Sequence, residues 1–122
     1  MENNEITEKI IGCAIEVHRT LGPGLLESVY ESALYIELER AGLRFQQQKQ
    51  LPVYYKECRI GDCRLDLLVE NRVVIELKSV DRFEPVFEAQ ILGYMRLGKF
   101  DVGLLIDFNS SLLKNGIKRF VL

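Results

Sequence analysis

The stretch from Arg64 to Lys78, RLDLLVENRVVIELK, constrains the fold more than any other part of the chain. Two apolar runs flank the polar residues 70–72, a pattern typical of a β-hairpin between buried strands. Asp66, Glu76 and Lys78 place charges inside or at the end of these runs. Because burying an unpaired charge costs several kcal/mol, these side chains need a partner, a metal ion or access to solvent.

The loop of this hairpin decides whether the two carboxylates can meet. Glu76 and Lys78 are two residues apart on one strand and therefore share a face of the sheet. A three-residue loop, Glu70–Arg72, places Asp66 opposite Glu76, whereas a two-residue turn moves Asp66 to the other face. Asn71 tolerates the left-handed backbone that a three-residue hairpin loop needs. We therefore predict the three-residue loop.

Two carboxylates and a lysine on one patch are suited to metal-assisted chemistry. Hard oxygen ligands of this kind suit Mg²⁺ or Mn²⁺, so Asp66 and Glu76 are the candidate metal ligands. A bound metal lowers the pKa of a water ligand and stabilises charge on a phosphodiester oxygen. Lys78 can orient or deprotonate the attacking water, or stabilise the transition state. The alternative is a structural ion pair at a sheet edge, and the three residues alone leave both interpretations open.

Hydrophobic periodicity predicts the other elements. The predicted helices cover residues 5–20, 25–41 and 86–97. Beside the hairpin, the predicted strands cover residues 45–55, 102–107 and 116–122, with a turn region at 56–62. This order of two helices, three strands, a helix and one or two strands predicts an α+β fold with a mixed central sheet flanked by helices. The length predicts a single domain over residues 1–122.

The charge and composition of the chain limit the class of protein. A net charge of −2 argues against avid nucleic-acid binding, but metal ions and a local basic strip can still serve a nuclease. A candidate strip combines two tyrosines with three basic residues: Tyr54, Tyr55, Lys49, Lys56 and Arg59. The alternative is that the tyrosines are ordinary core or surface aromatics. No apolar run approaches the ~20 residues that span a membrane. The polar N-terminus is no signal peptide, and an odd number of cysteines indicates reduced thiols, so we expect a cytoplasmic protein.

Two motifs together resemble a known family. Asp66 followed by Glu76-Leu77-Lys78 matches the D…(D/E)xK signature of the PD-(D/E)XK nuclease superfamily, and residues 24–30, GLLESVY, spell GxxExxY. From about residue 6 to residue 121, the chain resembles the GxxExxY proteins, a small bacterial and archaeal group placed in that superfamily. The resemblance implies a restriction-endonuclease-like αβββαβ core with an extra N-terminal helix, divalent-metal chemistry and, in active relatives, phosphodiester hydrolysis.

The resemblance also implies roles for individual residues. By motif position, the two carboxylates of the signature bind the metal and the lysine is catalytic. Glu27 corresponds to the acidic residue of the preceding helix and is expected to serve both the metal and catalysis. Without the resemblance, the favoured interpretation is that Glu27 is an acid in the first turn of a helix, where it interacts with the helix dipole and needs no catalytic role. Gln90 and Tyr94 lie on the helix that often adds a polar residue near the phosphate. Their spacing of four puts both on one helical face, so we expect them to act together in catalysis.

The resulting hypothesis is a metal-dependent nuclease that uses Mg²⁺ or Mn²⁺ and acts on nucleic acid, with DNA favoured over RNA. The competing hypothesis is a catalytically silent module on the same fold that binds nucleic acid or protein, because the chain is small and lacks a basic excess. A homodimer is a further expectation, since an edge strand near Pro52 or at the C-terminus can pair with a second copy.

Overall fold

The computed structural model describes every residue of the chain, Met1–Leu122. Helices and strands follow one another in the predicted order, and the C-terminal strand is present. The helices are α1 (Asn3–Leu21), α2 (Glu27–Arg40), α3 (Pro85–Gly98) and a short 3-10 helix (Leu113–Gly116). The strands are β1 (Phe45–Tyr55), β2 (Cys58–Val69), β3 (Val73–Lys78), β4 (Val102–Asp107) and β5 (Ile117–Val121).

The five strands form one sheet in the order β1-β2-β3-β4-β5. β3 and β4 are parallel, because α3 connects them as a crossover, and the other neighbouring pairs are antiparallel. The predicted α+β architecture, a mixed sheet flanked by helices, is confirmed. None of the helices combines the length and the apolar character needed to cross a membrane.

The sheet separates two apolar clusters. α1 and α2 pack on one face, where Tyr30 of α2 stacks on Phe108 with ring centroids 4.6 Å apart. α3 packs on the other face through Ile91 and Met95. Val73, Ile75 and Leu77 of β3 belong to the first cluster and Val74 to the second. Since side chains alternate along a strand, Glu76 and Lys78 lie on the side of α3.

The hairpin of β1 and β2, which leads to Asp66, differs from the prediction in the length of its turn. The turn consists of Lys56 and Glu57 alone, and β2 begins at Cys58, so the predicted turn region 56–62 is wrong beyond residue 57. The residues from Cys58 to Asp62 are all exposed. Because neither face of this segment is buried, its sequence has no apolar alternation from which a strand can be predicted.

Candidate active site

The hairpin between β2 and β3 has the predicted three-residue loop. Val69 pairs with Val73, which leaves Glu70–Arg72 between the strands. Glu70 and Asn71 both adopt left-handed backbone conformations, with φ of 53° and 55°. The loop prediction is therefore confirmed, and the register directs the two signature carboxylates towards each other.

Asp66 and Glu76 meet where β2 and β3 separate. Leu67 and Ile75 are the last paired residues before this point. Beyond them, the backbone N–H of Asp66 donates to Glu76 Oε2 at 2.7 Å, and the backbone N–H of Leu77 donates to Asp66 Oδ2 at 2.8 Å. Each carboxylate thus takes a backbone donor from the opposite strand, and these reciprocal hydrogen bonds hold both side chains in place.

Each of the two carboxylates keeps a second oxygen that the protein does not engage. Asp66 Oδ1 and Glu76 Oε1 accept no hydrogen bond from any protein donor. Neither atom is fully buried, since the structure contains no buried side-chain oxygen or nitrogen without a partner. Two oxygens with available lone pairs are therefore presented together at the end of the β2–β3 ladder.

The surroundings of these carboxylates oppose their ionisation. Burial and, to a smaller extent, the charge of Asp66 raise the pKa of Glu76 to about 8, although the hydrogen bond from the Asp66 N–H and the charge of Lys78 act in the opposite direction. Burial also raises the pKa of Asp66, and its hydrogen bond from the Leu77 N–H lowers it. Because a cation compensates buried negative charge, this pair is suited to a divalent ion.

Lys78 lies beside the carboxylates without being paired to either. Its side chain is half-buried, and its Nζ atom is 4.6 Å from the ring centroid of Phe87 on α3. Its charge lowers the pKa of both Asp66 and Glu76. However, none of the five ion pairs of the structure includes any of these three residues. The ammonium group therefore lies within the field of both carboxylates but is not engaged by either, and it is available for other contacts.

The GxxExxY segment builds the loop that leads into α2. Gly24 adopts a left-handed conformation with φ of 96°, which a side chain would strain. The Tyr30 hydroxyl donates to the Gly22 carbonyl at 2.6 Å and accepts from the Leu25 N–H at 3.0 Å. The glycine and tyrosine of the motif therefore fix the conformation of this loop. The loop ends at Glu27, which is the first residue of α2.

Glu27 is near the carboxylate pair but remains exposed. The Ser79 hydroxyl donates to the Leu25 carbonyl at 2.6 Å, which ties the start of α2 to the end of β3. The charge of Glu27 contributes to the raised pKa of Asp66. No three histidine, cysteine, aspartate or glutamate side chains are arranged to hold a metal ion together. The charge of Glu27 therefore acts on Asp66, but Glu27 does not complete a metal site with three protein ligands.

Glu31, one helical turn after Glu27, is the site residue that the sequence reasoning missed. Its side chain is half-buried, and its Oε2 accepts hydrogen bonds from the Tyr35 hydroxyl and from Gln48 Nε2, the latter at 2.7 Å. Its charge raises the pKa of both site carboxylates. The spacing of four from Glu27 is the one sequence signal that could have found it.

Gln48 occupies an irregular position opposite Asp66. The β1–β2 ladder is paired on both sides of these two residues but skips them, and Gln48 has a left-handed φ of 48°. Side-chain alternation also changes here, because Leu65 and Leu68 both pack in the cluster under α3 although they are three residues apart. The irregularity turns Asp66 towards α2 and gives the Gln48 side chain its reach to Glu31.

α3 places Gln90 and Tyr94 on the other side of the pair. Tyr94 is half-buried, and burial and the nearby Glu76 raise the pKa of its hydroxyl, while Gln90 lowers it. Gln90 itself is exposed. The helix thus brings both predicted residues next to one another and Tyr94 next to Glu76. Their roles in catalysis stay predictions.

Two carboxylates on adjacent strands, with a lysine two residues beyond the second, are the arrangement that the D…(D/E)xK signature requires. A family model described as the PD-(D/E)XK nuclease superfamily matches residues 4–120. The chain belongs to the PD-(D/E)XK nuclease superfamily. Its sheet and helices are consistent with the restriction-endonuclease-like fold of that superfamily, as predicted. PD-(D/E)XK nucleases typically use divalent metals. Neither a curated protein nor a solved structure matches the chain.

Proposed function

We propose that this PD-(D/E)XK chain is a Mg²⁺- or Mn²⁺-dependent nuclease that hydrolyses phosphodiester bonds, with DNA as the favoured polymer. We also propose that it belongs to the GxxExxY group, on the basis of the loop and helix that Gly24, Glu27 and Tyr30 build. The observation that carries the nuclease proposal is the pair of available oxygens, Asp66 Oδ1 and Glu76 Oε1, beside the ammonium group of Lys78.

The donor set fits Mg²⁺ or Mn²⁺. Mg²⁺ is usually held by one or two carboxylates, with waters and substrate phosphate oxygens as its other ligands. Asp66 and Glu76 would provide the two carboxylates, and exposed Glu27 would add a third acidic group at the edge of the site. When bound, the ion supplies a water ligand of lowered pKa and stabilises charge on a phosphodiester oxygen. The two backbone hydrogen bonds keep the carboxylates oriented, so little reorganisation is needed on binding.

Lys78, Gln90 and Tyr94 would act on the substrate and the attacking water. The Lys78 ammonium is free of carboxylate partners, so its N–H groups can orient the water or stabilise the charge of the transition state. The ring of Phe87 covers one side of this group and limits its hydration. Gln90 and Tyr94 would donate hydrogen bonds to a phosphate oxygen from the same face of α3.

Cleavage of labelled DNA and RNA by the purified chain tests the proposal. Reactions contain Mg²⁺, Mn²⁺ or EDTA and compare the wild type with Glu76→Ala and Lys78→Ala. Glu39→Gln, which changes an exposed carboxylate on α2, is the matched control. We expect cleavage only with metal, and a loss of roughly 10²-fold or more in both site variants. Equal activity in all four proteins would identify a contaminating nuclease and refute the proposal.

A catalytically silent binding module is the second candidate. The observation that favours it is the absence of three metal-ligating side chains in one group, together with the net charge of −2. In this case, Mg²⁺ and Mn²⁺ give no calorimetric binding signal and no thermal shift at the site. Metal binding by the wild type that is lost in Asp66→Ala would count against it.

We also propose that the chain forms a homodimer through a sheet edge. β1 and β5 are the two edge strands, and Val121 at the end of β5 is 66% exposed. Unpaired backbone groups of an edge strand can pair with those of a second copy. Sedimentation at micromolar concentration is expected to show a dimer, and a monomer alone would refute this for the free protein.

A further inference from the structure

The outer half of the β1–β2 hairpin extends beyond the neighbouring strand. β3 pairs with β2 only over residues 67–69, so residues 49–65 form a two-stranded ribbon, which we call the arm. Lys56 and Glu57 make the turn at its tip, with left-handed φ angles of 48° and 72°. Because an isolated two-stranded ribbon is marginally stable in water, the arm depends on support from the rest of the fold.

The two faces of the arm differ in what they contact. On the face towards α3, Leu51 and Leu65 pack with the second apolar cluster, and Val53 and Cys63 are half-buried. The opposite face, which we call the bare face, is exposed to solvent. It includes Gln50, Pro52, Asp62 and Arg64, which pair with one another across the two strands and are all exposed.

The bare face continues to the tip of the arm. Arg59 forms an ion pair with Asp62 and so lies on the same face. Tyr54 pairs with Arg59 across the strands, and residues that oppose each other share a face. The Tyr54 side chain is 57% exposed. An exposed tyrosine flanked by an arginine therefore lies at the outer end of the bare face.

The inner end of the bare face adjoins the candidate active site. Arg64 precedes Asp66 by two residues on β2 and lies on the side away from α3, because the intervening Leu65 packs under α3; the irregularity at Asp66 turns that carboxylate to the same side, towards α2. Arg64 forms no ion pair within the protein. The bare face thus runs without interruption from Tyr54 through Arg59 and Arg64 to a carboxylate of the site.

The arm carries an excess of positive charge, although the chain as a whole is acidic. It carries four basic and two acidic residues, whereas the whole chain has a net charge of −2. Only one of its basic side chains, Arg59, is paired with an acid. At the tip, Lys56 Nζ lies 5.4 Å from the ring centroid of Tyr55, which is 61% exposed. Positive charge and exposed aromatic rings occur together here.

We propose that the bare face of the arm binds a single strand of DNA and leads it to Asp66 and Glu76. This inference rests on the proposed nuclease function. The arm's small positive charge is weak for holding a duplex, whose binding increases with the number of phosphates neutralised. Stacking on an exposed tyrosine, by contrast, works with any base and needs a base that is free of its complementary strand.

The dimensions of the arm set the length of strand involved. Arg59, the partner of Tyr54, is seven residues from Asp66, which corresponds to about 23 Å along an extended β-strand. A nucleic-acid strand with stacked bases advances ~3.4 Å per nucleotide. A base that stacks on Tyr54 is therefore about seven nucleotides from the scissile phosphate.

Fluorescence anisotropy with a labelled DNA strand tests this surface. The strand has about 20 nucleotides, enough to cover both the arm and the site at ~3.4 Å per nucleotide, and EDTA prevents metal-dependent cleavage. Tyr54→Ala is expected to weaken binding at least about fivefold, as for the loss of one stacked base. Tyr54→Phe keeps the ring and is expected to retain the affinity. Arg64→Gln is expected to weaken binding and to reduce its dependence on salt.

The controls separate the arm from general effects on the protein. Ile36→Ala removes a similarly exposed side chain, 52% exposed on α2, and is expected to leave binding unchanged. A blunt duplex of the same sequence is expected to bind more weakly and without dependence on Tyr54. Equal affinity of the wild type and Tyr54→Ala for the single strand would overturn the inference, as would a duplex bound equally tightly.

Cleavage assays on the same variants distinguish this inference from the nuclease proposal. Binding that depends on Tyr54, in a protein that never cleaves, would support the arm and refute the nuclease. Cleavage of a single strand that proceeds equally in wild type, Tyr54→Ala and Arg64→Gln would support the nuclease and overturn the arm. A matching RNA strand that binds more tightly than DNA, with the same dependence on Tyr54, would overturn the choice of DNA as the polymer but would support the role of the arm.

Discussion

Replacing Glu76 by glutamine tests how strongly the fold opposes a charge at the site. Glu76 is 4% exposed, and burial together with the nearby Asp66 raises its pKa to about 8. Glutamine has nearly the same shape, and its amide oxygen can still accept the hydrogen bond from the Asp66 N–H. The substitution therefore removes the ionisation of this residue while it keeps the packing.

The raised pKa determines how the free energy of unfolding depends on pH. Below the ordinary value of 4.5, the Glu76 carboxyl is protonated in both the folded and the unfolded chain. As the pH rises from 4.5 to about 8, the unfolded chain releases this proton while the folded chain keeps it, so wild-type stability falls. At about 1.4 kcal/mol per pH unit, the loss across this window has an upper limit of about 5 kcal/mol. Glu76→Gln does not incur this loss.

Urea denaturation of the metal-free protein, followed by circular dichroism in EDTA, measures the effect. At about pH 5 the wild type and Glu76→Gln are expected to be similarly stable, and at about pH 9 the variant is expected to be more stable by several kcal/mol. Glu39→Gln is the control, because a substitution of an exposed carboxylate changes stability by no more than about 0.5 kcal/mol. Added Mg²⁺ is expected to restore stability to the wild type at the higher pH and not to Glu76→Gln, since a bound ion compensates the ionised carboxylates.

The same difference between wild type and Glu76→Gln at both pH values would refute the reasoning. It would mean that Glu76 ionises in the folded chain as it does in water. The carboxylate would then be hydrated, and the argument that burial prepares the site for a cation would fail.

Three other changes test separate parts of the site. Lys78→Met is expected to lower the cleavage rate roughly 10²- to 10⁴-fold while the thermal shift caused by Mg²⁺ persists; loss of both would contradict a role in the chemical step alone. Glu31→Gln is expected to weaken Mg²⁺ binding, measured by calorimetry, more than Glu27→Gln does, because Glu31 is half-buried and affects both carboxylates; the reverse order would show that Glu27 is the closer acid. Tyr30→Phe removes two hydrogen bonds to the loop before α2 and is expected to lower the free energy of unfolding by about 1–2 kcal/mol in urea titrations; an unchanged midpoint would show that the ring alone holds the loop.

The sequence is most informative where structure depends on neighbouring residues. The alternation of apolar residues from Val73 to Leu77 determines which face of β3 is buried, and so places Glu76 and Lys78 together. The loop at Asn71 accepts left-handed backbone and so determines the register that brings Asp66 opposite Glu76. These features involve residues close in the chain, and for this reason they could be predicted.

The features that sequence reasoning missed depend on contacts between distant segments. Glu31 joins the site because Gln48, in another element, adopts a left-handed conformation and reaches its carboxylate. The strand from Cys58 could not be predicted, because a ribbon with exposed faces has no apolar period. Neither the left-handed conformation of Gln48 nor the exposed strand of the arm produces a regular pattern in the sequence.

The sequence by itself determined the order of elements, the hairpin register and the set of charged residues at its base. The tertiary structure alone decided the burial and the hydrogen bonding of those charged residues. It separates β2 from β3 so that Asp66 and Glu76 each engage a backbone N–H with one oxygen and leave the other available. It also buries Glu76 beside Asp66, and these two effects raise the pKa of Glu76 to about 8. Burial and hydrogen bonding depend on elements that are distant in the chain and meet only when it folds, so no local pattern specifies them.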